Sequence, residues 1–318
     1  MKVGMIGIGD IAKKAYLPVL TQIKGIELHV CTRNEKTLKE IAAKYKIRDT
    51  YTEINMLLNS GIEAAFVHSS TDSHEEIIDQ LLDHNIHVYI DKPITFDGDS
   101  SERLIQKAKN KGLILMVGFN RQYAPPYQKL KEIEDPNLII MQKNRSHLAA
   151  DPRTFVFDDF IHVIDTLLYL FPYQINNIMI RGKQVDGLLH HVILQLEAEQ
   201  GTAIGVMNRE AGTTEEKVEV MSRHKTRIVK NVNEIYTHKE KQILDHGYND
   251  WEPMLHKRGF YGIITAFLEA VKIGPEFYNG YDRDLQGHLI AEKIVQTLEQ
   301  REGSSLAFIW EEEEEQNR

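Results

Sequence analysis

A chain of 318 residues is long enough for two compact domains, each burying its own core without covalent staples. Its 38 basic and 47 acidic residues leave a net charge of -9, which argues against nucleic acid as a partner, and its single cysteine, Cys31, excludes a disulfide framework, a multi-cysteine zinc site and thiol-pair redox chemistry. No apolar run approaches the roughly 18 residues needed to cross a bilayer, and no charged segment precedes an apolar one at the start, so no membrane partner and a cytoplasmic location are expected.

The first 120 residues alternate short β-branched or aliphatic runs with longer amphipathic stretches, the pattern of β-α units feeding a parallel sheet. Strands are predicted over 2–6, 26–32, 62–67, 86–90 and 113–117, and helices over 10–22, 35–44, 73–84 and 98–111. The order implies an α/β Rossmann domain with a doubly wound sheet over residues 1–120. After residue 120 the rhythm changes. A helix over 124–133, a strand over 138–146 and an amphipathic helix over 155–171 come first. Runs over 174–181, 188–198, 202–208, 215–221, 226–230 and 234–238 then succeed one another with short turns, as in an antiparallel meander. Helices over 258–273 and 283–300 finish the chain. Residues 121–318 are therefore expected to form an α+β domain with a large open sheet for substrate binding and oligomerisation, and Glu311–Glu315 to fray as a solvated tail.

Gly7-Ile8-Gly9-Asp10-Ile11-Ala12 lies between the first predicted strand and helix. Glycines there permit a tight turn and close approach of backbone to a pyrophosphate, whose charge the helix N-terminus stabilises. The second strand ends in Thr32-Arg33, where NAD enzymes commonly place a carboxylate for the adenine ribose. A hydroxyl and a guanidinium accommodate a 2′-phosphate instead, which favours NADP(H) over NAD(H), although Glu35 is close enough to keep NAD open.

Four segments together resemble the Gfo/Idh/MocA family of NAD(P)-dependent oxidoreductases: Gly7 to Ala12, Asp91-Lys92-Pro93, Gly118-Phe119-Asn120-Arg121, and Asp158-x-x-x-His162-x-x-Asp165. Ser69-Ser70-Thr71-Asp72-Ser73-His74 is similar to the family's loop that covers the cofactor. The resemblance implies cofactor contacts from Ser69, Ser70, His74, Asp91, Lys92 and Asn120. It also aligns Asp91-Lys92-Pro93 with the family's Glu-Lys-Pro at the carboxyl end of a strand, with Lys92 directed at substrate and Pro93 a candidate cis residue. Arg121 is expected either to contact a ligand or to pin the domains together.

On the 155–171 helix, spacings of four and three put Asp158, His162 and Asp165 in one surface stripe beside an apolar face of Ile161, Ile164, Leu168 and Phe171. The family places its acid/base chemistry there: His162 would pass a proton to or from a substrate hydroxyl, Asp158 would bind a hydroxyl or tune the histidine, and Asp165 would orient the imidazole. A histidine flanked by carboxylates also fits a metal, but no third convincing ligand is visible and none is expected. Hydride transfer between a nicotinamide and a sugar, polyol or small hydroxy or carbonyl compound is the resulting expectation, in a homodimer or homotetramer. A non-catalytic nucleotide-binding sensor and an NAD-dependent glycoside hydrolase are the alternatives.

Overall fold

A computed structural model describes residues 1–247 and 251–300, so the acidic run at 311–315 lies outside the described residues. The chain divides into two compact units. One comprises Met1–Asn120 with Gly259–His288, the other Arg121–Arg258 with residues 289–300.

In the first unit, strands β1 (Lys2–Ile6), β2 (Glu27–Cys31), β3 (Asp49–Tyr51), β4 (Ala64–Val67), β5 (His87–Ile90) and β6 (Leu115–Val117) form a parallel sheet in the order β3-β2-β1-β4-β5-β6. That order is doubly wound about β1 and β4, the geometry that opens a crevice at the carboxyl ends of the strands. The central strands are apolar past their first residues, with Ala64 to Val67 and Val88 to Ile90 fully buried, because both faces of the sheet are covered. Local signals fix the helix ends. Asn34 caps helix Glu35–Tyr45 by accepting from Thr37 N–H, Asp97 caps Gly98–Lys111 through Ser100 N–H, and Gly112 closes the latter in the left-handed conformation. β3 was not predicted: three residues are too few to show a period of two.

Residues 259–288 were expected with the second domain, and the structure corrects that. Helix Phe260–Ile273 buries Phe260, Ile263, Ile264 and Phe267, and Phe267 meets Phe66 edge-on at 5.0 Å while Phe260 meets Tyr16 at 5.4 Å. An apolar parallel sheet needs both faces covered, and this late helix serves one of them. Tyr281 O–H donates to Leu113 O at 2.6 Å, and Ile94 N–H donates to His288 Nε2 at 2.9 Å. Since His288 Nε2 accepts, Nδ1 carries the proton it gives to Asp284 O at 2.7 Å, and burial pushes the imidazole pKa down to about 4.

The second unit holds an eight-stranded sheet: β7 (Pro136–Asn144), β8 (Asn177–Val185), β9 (Leu188–Ala198), β10 (Gly201–Asn208), β11 (Glu215–Ser222), β12 (Thr226–Lys230), β13 (Glu234–Lys239) and β14 (Gln242–Asp245). Its order, β14-β13-β12-β11-β7-β10-β9-β8, is not a plain meander. β7 enters the middle, parallel to β10 and antiparallel to β11, so two short meanders flank it. Helix Ile161–Leu170 packs on this centre. A Cβ on Gly205 would stand 2.6 Å from Val163 Cγ1, so a glycine in β10 is what lets the helix approach.

Both helices that carry motif residues contain a π-helical turn, Ala12–Tyr16 in the first unit and Phe155–Phe160 in the second. Such turns are rare and recur at functional sites. Among the described residues no helix is long and apolar enough to cross a membrane.

Candidate active site

The glycine turn is shaped by the loop behind it. Gly7 has φ +83, and a Cβ there would lie 2.5 Å from Ser69 N and 2.7 Å from the His68 carbonyl, so only glycine fits. Gly9 is exposed, and a Cβ built on it would meet only His68 O, at 3.8 Å, which leaves its outer face clear for a ligand's close approach. Ala12 is buried where the helix begins, Ile11 is 37% exposed, and Asp10 is exposed and paired with Lys14. A bare turn opening a helix fits a dinucleotide pyrophosphate. Beyond β2, Thr32 is half-buried with its N–H on Tyr51 O, while the Arg33 side chain is exposed.

The loop after β4 is braced from within. Ser73 Oγ donates to Ser69 Oγ and Ser70 O, and the His74 ring sits between two carbonyls, Nδ1 2.9 Å from Pro93 O and Nε2 3.1 Å from Ser69 O. His74 was expected to touch the cofactor. Its side chain instead ties this loop to the one carrying Lys92 and is 1% exposed. Burial lowers its pKa, against the opposing pull of the two carbonyls and the Asp91 charge.

Asp91-Lys92-Pro93 follows β5, and the Lys92-Pro93 peptide bond is cis. Asp91 Oδ1 accepts Lys92 N–H at 2.9 Å and Oδ2 lies 3.8 Å from His68 Nδ1. Burial acts to raise the Asp91 carboxyl, but His68 and the Lys92 charge and N–H outweigh it and hold the pKa below the usual value. Lys92 is half-buried and follows directly on this carboxylate at the carboxyl end of the sheet.

In the second unit the expected surface stripe is not uniform. Asp158 is exposed, His162 half-buried and Asp165 only 3% exposed. The π turn, in which Ile161 N–H reaches back five residues to Val156 O, shifts Asp158 relative to the two later residues. His162 and Asp165 share the regular helix Ile161–Leu170, where a three-residue step falls about 60° short of a full turn, and Asp165 lands on its buried side. Asp159 turns inward as well, bonding Lys143 Nζ and, at 3.0 Å, Arg145 Nε. Lys143 is 2% exposed. Burial, reinforced by the Arg121 charge, pushes its pKa down to about 7.

Arg121 was expected at a ligand or between domains. It is buried within the second unit, giving Nε and Nη2 to the two carboxylate oxygens of Glu216 at 2.7 and 2.6 Å, while Tyr127 O–H also donates to Glu216. Burial acts to raise the Glu216 carboxyl, but Arg121 carries it down to about 2. Asn120, beside it in sequence, is 8% exposed with its N–H on Gly118 O. Sequence reading missed Lys143, Asp159, Glu216 and Tyr127. One signal was available: Ile139, Met141 and Lys143 share a face of β7, so the lysine stands where the period of two requires an apolar residue.

Residues 1–119 match the family described as an oxidoreductase family with an NAD-binding Rossmann fold, and residues 125–240 match a YceM-like C-terminal domain. The Salmonella typhimurium protein YceM is 32% identical over 280 residues, covering 86% of this chain and 90% of that protein. The chain belongs to the Gfo/Idh/MocA family of oxidoreductases. A solved structure of a Gfo/Idh/MocA family oxidoreductase from Vibrio cholerae overlays with a TM-score of 0.89 at 32% identity, covering 95% of this chain and 99% of that one. Myo-inositol 2-dehydrogenase of Thermotoga maritima is 25% identical over 195 residues, 57% of this chain and 58% of that protein. In this Gfo/Idh/MocA oxidoreductase residues 1–119 thus carry an NAD-binding Rossmann fold.

Proposed function

We propose that this oxidoreductase interconverts a secondary alcohol and its ketone on a sugar, polyol or other small hydroxy compound, using NADP(H) in preference to NAD(H). The observation that carries the reading is Lys92, whose backbone is anchored by Asp91 at the carboxyl end of β5. The similarity to a myo-inositol 2-dehydrogenase supports a polyol-like substrate. Gly7, Gly9, Ile11 and Ala12 would hold the dinucleotide phosphates, with Ser69, Ser70 and Asn120 as further contacts. The nicotinamide, when bound, supplies hydride acceptance or donation.

The chain's own residues handle the rest. The Lys92 ammonium donates to the reacting oxygen and offsets the negative charge that develops there. His162 takes the hydroxyl proton in oxidation and returns it in reduction, and Asp158 binds a neighbouring hydroxyl. The exposed Arg33, one residue past Thr32, supplies a donor fork for a 2′-phosphate. A single buried cysteine suits a reducing cytoplasm. Purified protein is to be tested for bound nucleotide, then for NADPH and NADH formation or loss against panels of polyols, aldoses and small ketones. Turnover of a polyol or sugar is the expected result, and nucleotide binding without turnover on any panel member would overturn the reading.

A further inference from the structure

His68 and Asp91 are the first residues past β4 and β5. These strands pair in parallel with Val67 against Ile90, so the next two side chains leave the sheet side by side at its carboxyl edge. Backbone bonds hold both in place, His68 N–H on Ile6 O at 2.8 Å and Asp91 N–H on Val67 O at 3.0 Å. The His68 side chain is wholly buried, its ring packed on Tyr16 at 3.9 Å between centroids with Phe66 and Tyr89 beyond. Neither ring nitrogen has a hydrogen-bond partner among the described residues. Burying an unmatched polar group costs about 1–3 kcal/mol, a cost that native structures accept where the group has work to do.

Asp91 faces that work. Its Oδ1 accepts the Lys92 N–H, and its Oδ2 looks toward His68 Nδ1 across 3.8 Å. The other polar groups around it are engaged elsewhere: Tyr16 and Tyr89 share a hydroxyl bond of 2.7 Å, and His74 spans two carbonyls. We propose that His68 is a positioning residue for Lys92, its Nδ1–H closing on Asp91 Oδ2 when the nucleotide site fills and so fixing the carboxylate that orients Lys92. Hydrogen bonds among catalytic groups are often long before the complex forms and shorten within it. The trigger is next door, because the His68 carbonyl is the surface against which Gly7 packs. The inference rests on the role given to Lys92 above.

Three variants test it in nucleotide-saturated protein: His68→Leu removes the donor, His68→Asn keeps an amide donor near the Nδ1 position, and Asp91→Asn removes the acceptor's charge. NADPH affinity, read by fluorescence, is expected to stay within about threefold in His68→Leu and His68→Asn, a spread of less than 1 kcal/mol. The 15N–1H resonance of the Lys92 amide should move in His68→Leu and Asp91→Asn and return toward its wild-type position in His68→Asn. On a turned-over substrate, kcat should fall about 10–100-fold in His68→Leu with KM little changed, and His68→Asn should recover most of it, as for other groups that orient a catalytic side chain. A Lys92 amide unmoved in folded His68→Leu overturns the proposal. So does an imidazole 15N spectrum of wild-type holoprotein in which Nδ1 of His68 bears no proton, a measurement that needs no variant to fold. Finding no substrate would sink the proposed function and leave both spectroscopic tests in force.

Discussion

The two units bury polar groups in opposite ways. In the first, they gather at the carboxyl ends of strands and are tied down through the backbone: Asp91 to Lys92 N–H, His74 to Ser69 O and Pro93 O, His288 to Ile94 N–H and Asp284 O. In the second, buried charged side chains pair with one another, Glu216 of β11 with Arg121 and Lys143 of β7 with Asp159. A backbone tether fixes a group's position without demanding a buried countercharge, whereas a buried ion depends entirely on its partner. The first arrangement suits residues that must meet a ligand. The second suits a scaffold that must hold a helix such as Phe155–Leu170 in one register.

The comparison breaks most visibly at the residues proposed to meet a ligand. Lys92→Met or His162→Asn is expected to reduce turnover about 10²–10⁴-fold while nucleotide affinity changes little. Steady-state kinetics beside fluorescence titration checks this, and loss of nucleotide binding in step with turnover would mean a collapsed site. Next comes Glu216→Leu, which strands Arg121 and should cost about 3–5 kcal/mol in denaturant unfolding of the second unit. A cost near zero would show that water reaches the pair.

A third test lies at the end of the first unit. Burial raises the Asp284 carboxyl to about 6, and one of its oxygens has no hydrogen-bond partner among the described residues. Its folded pKa lies above its unfolded one, so its contribution is most favourable below pH 4 and is lost as pH rises through about 6. Asp284→Asn should therefore stabilise the protein by about 1–3 kcal/mol at pH 8 and by much less at pH 4. His288 runs the other way: its depressed pKa gives stability present above about 6.5 and lost as pH falls through about 4. Unfolding curves of Asp284→Asn in that acid range should thus show a steeper loss than wild type, and parallel curves would refute the pairing of signs. The smallest effect is expected at Arg33→Ala, with NADPH weakened about tenfold, roughly 1.4 kcal/mol, and NADH unchanged. Equal effects on both nucleotides would remove Arg33 from 2′-phosphate recognition.

Much of the first unit was legible in the sequence. Its site residues arrive as contiguous motifs, Gly7 to Ala12, Ser69 to His74 and Asp91 to Pro93, because each follows directly from a strand whose apolar run marks its own end. What each side chain does was less legible. His74 looked like a cofactor contact and proved to be a brace, since its partners are carbonyls supplied by two different loops. Asp165 looked exposed because a three-residue spacing places two side chains near each other but does not say where the buried face of the helix ends.

By itself the sequence determined a Rossmann unit followed by an open sheet, and the family, and it marked a candidate dinucleotide turn, all carried by local periodicity and short motifs. Only the tertiary structure decided that residues 259–288 return to the first unit, that β7 enters the middle of the second sheet, and that residues 121, 127, 143, 159 and 216 converge on a buried charge network. The physical reason is one of range. Backbone preference and periodicity act over a few residues, whereas closing a sheet face or neutralising a buried charge selects partners by the free energy of burial, however distant they are along the chain.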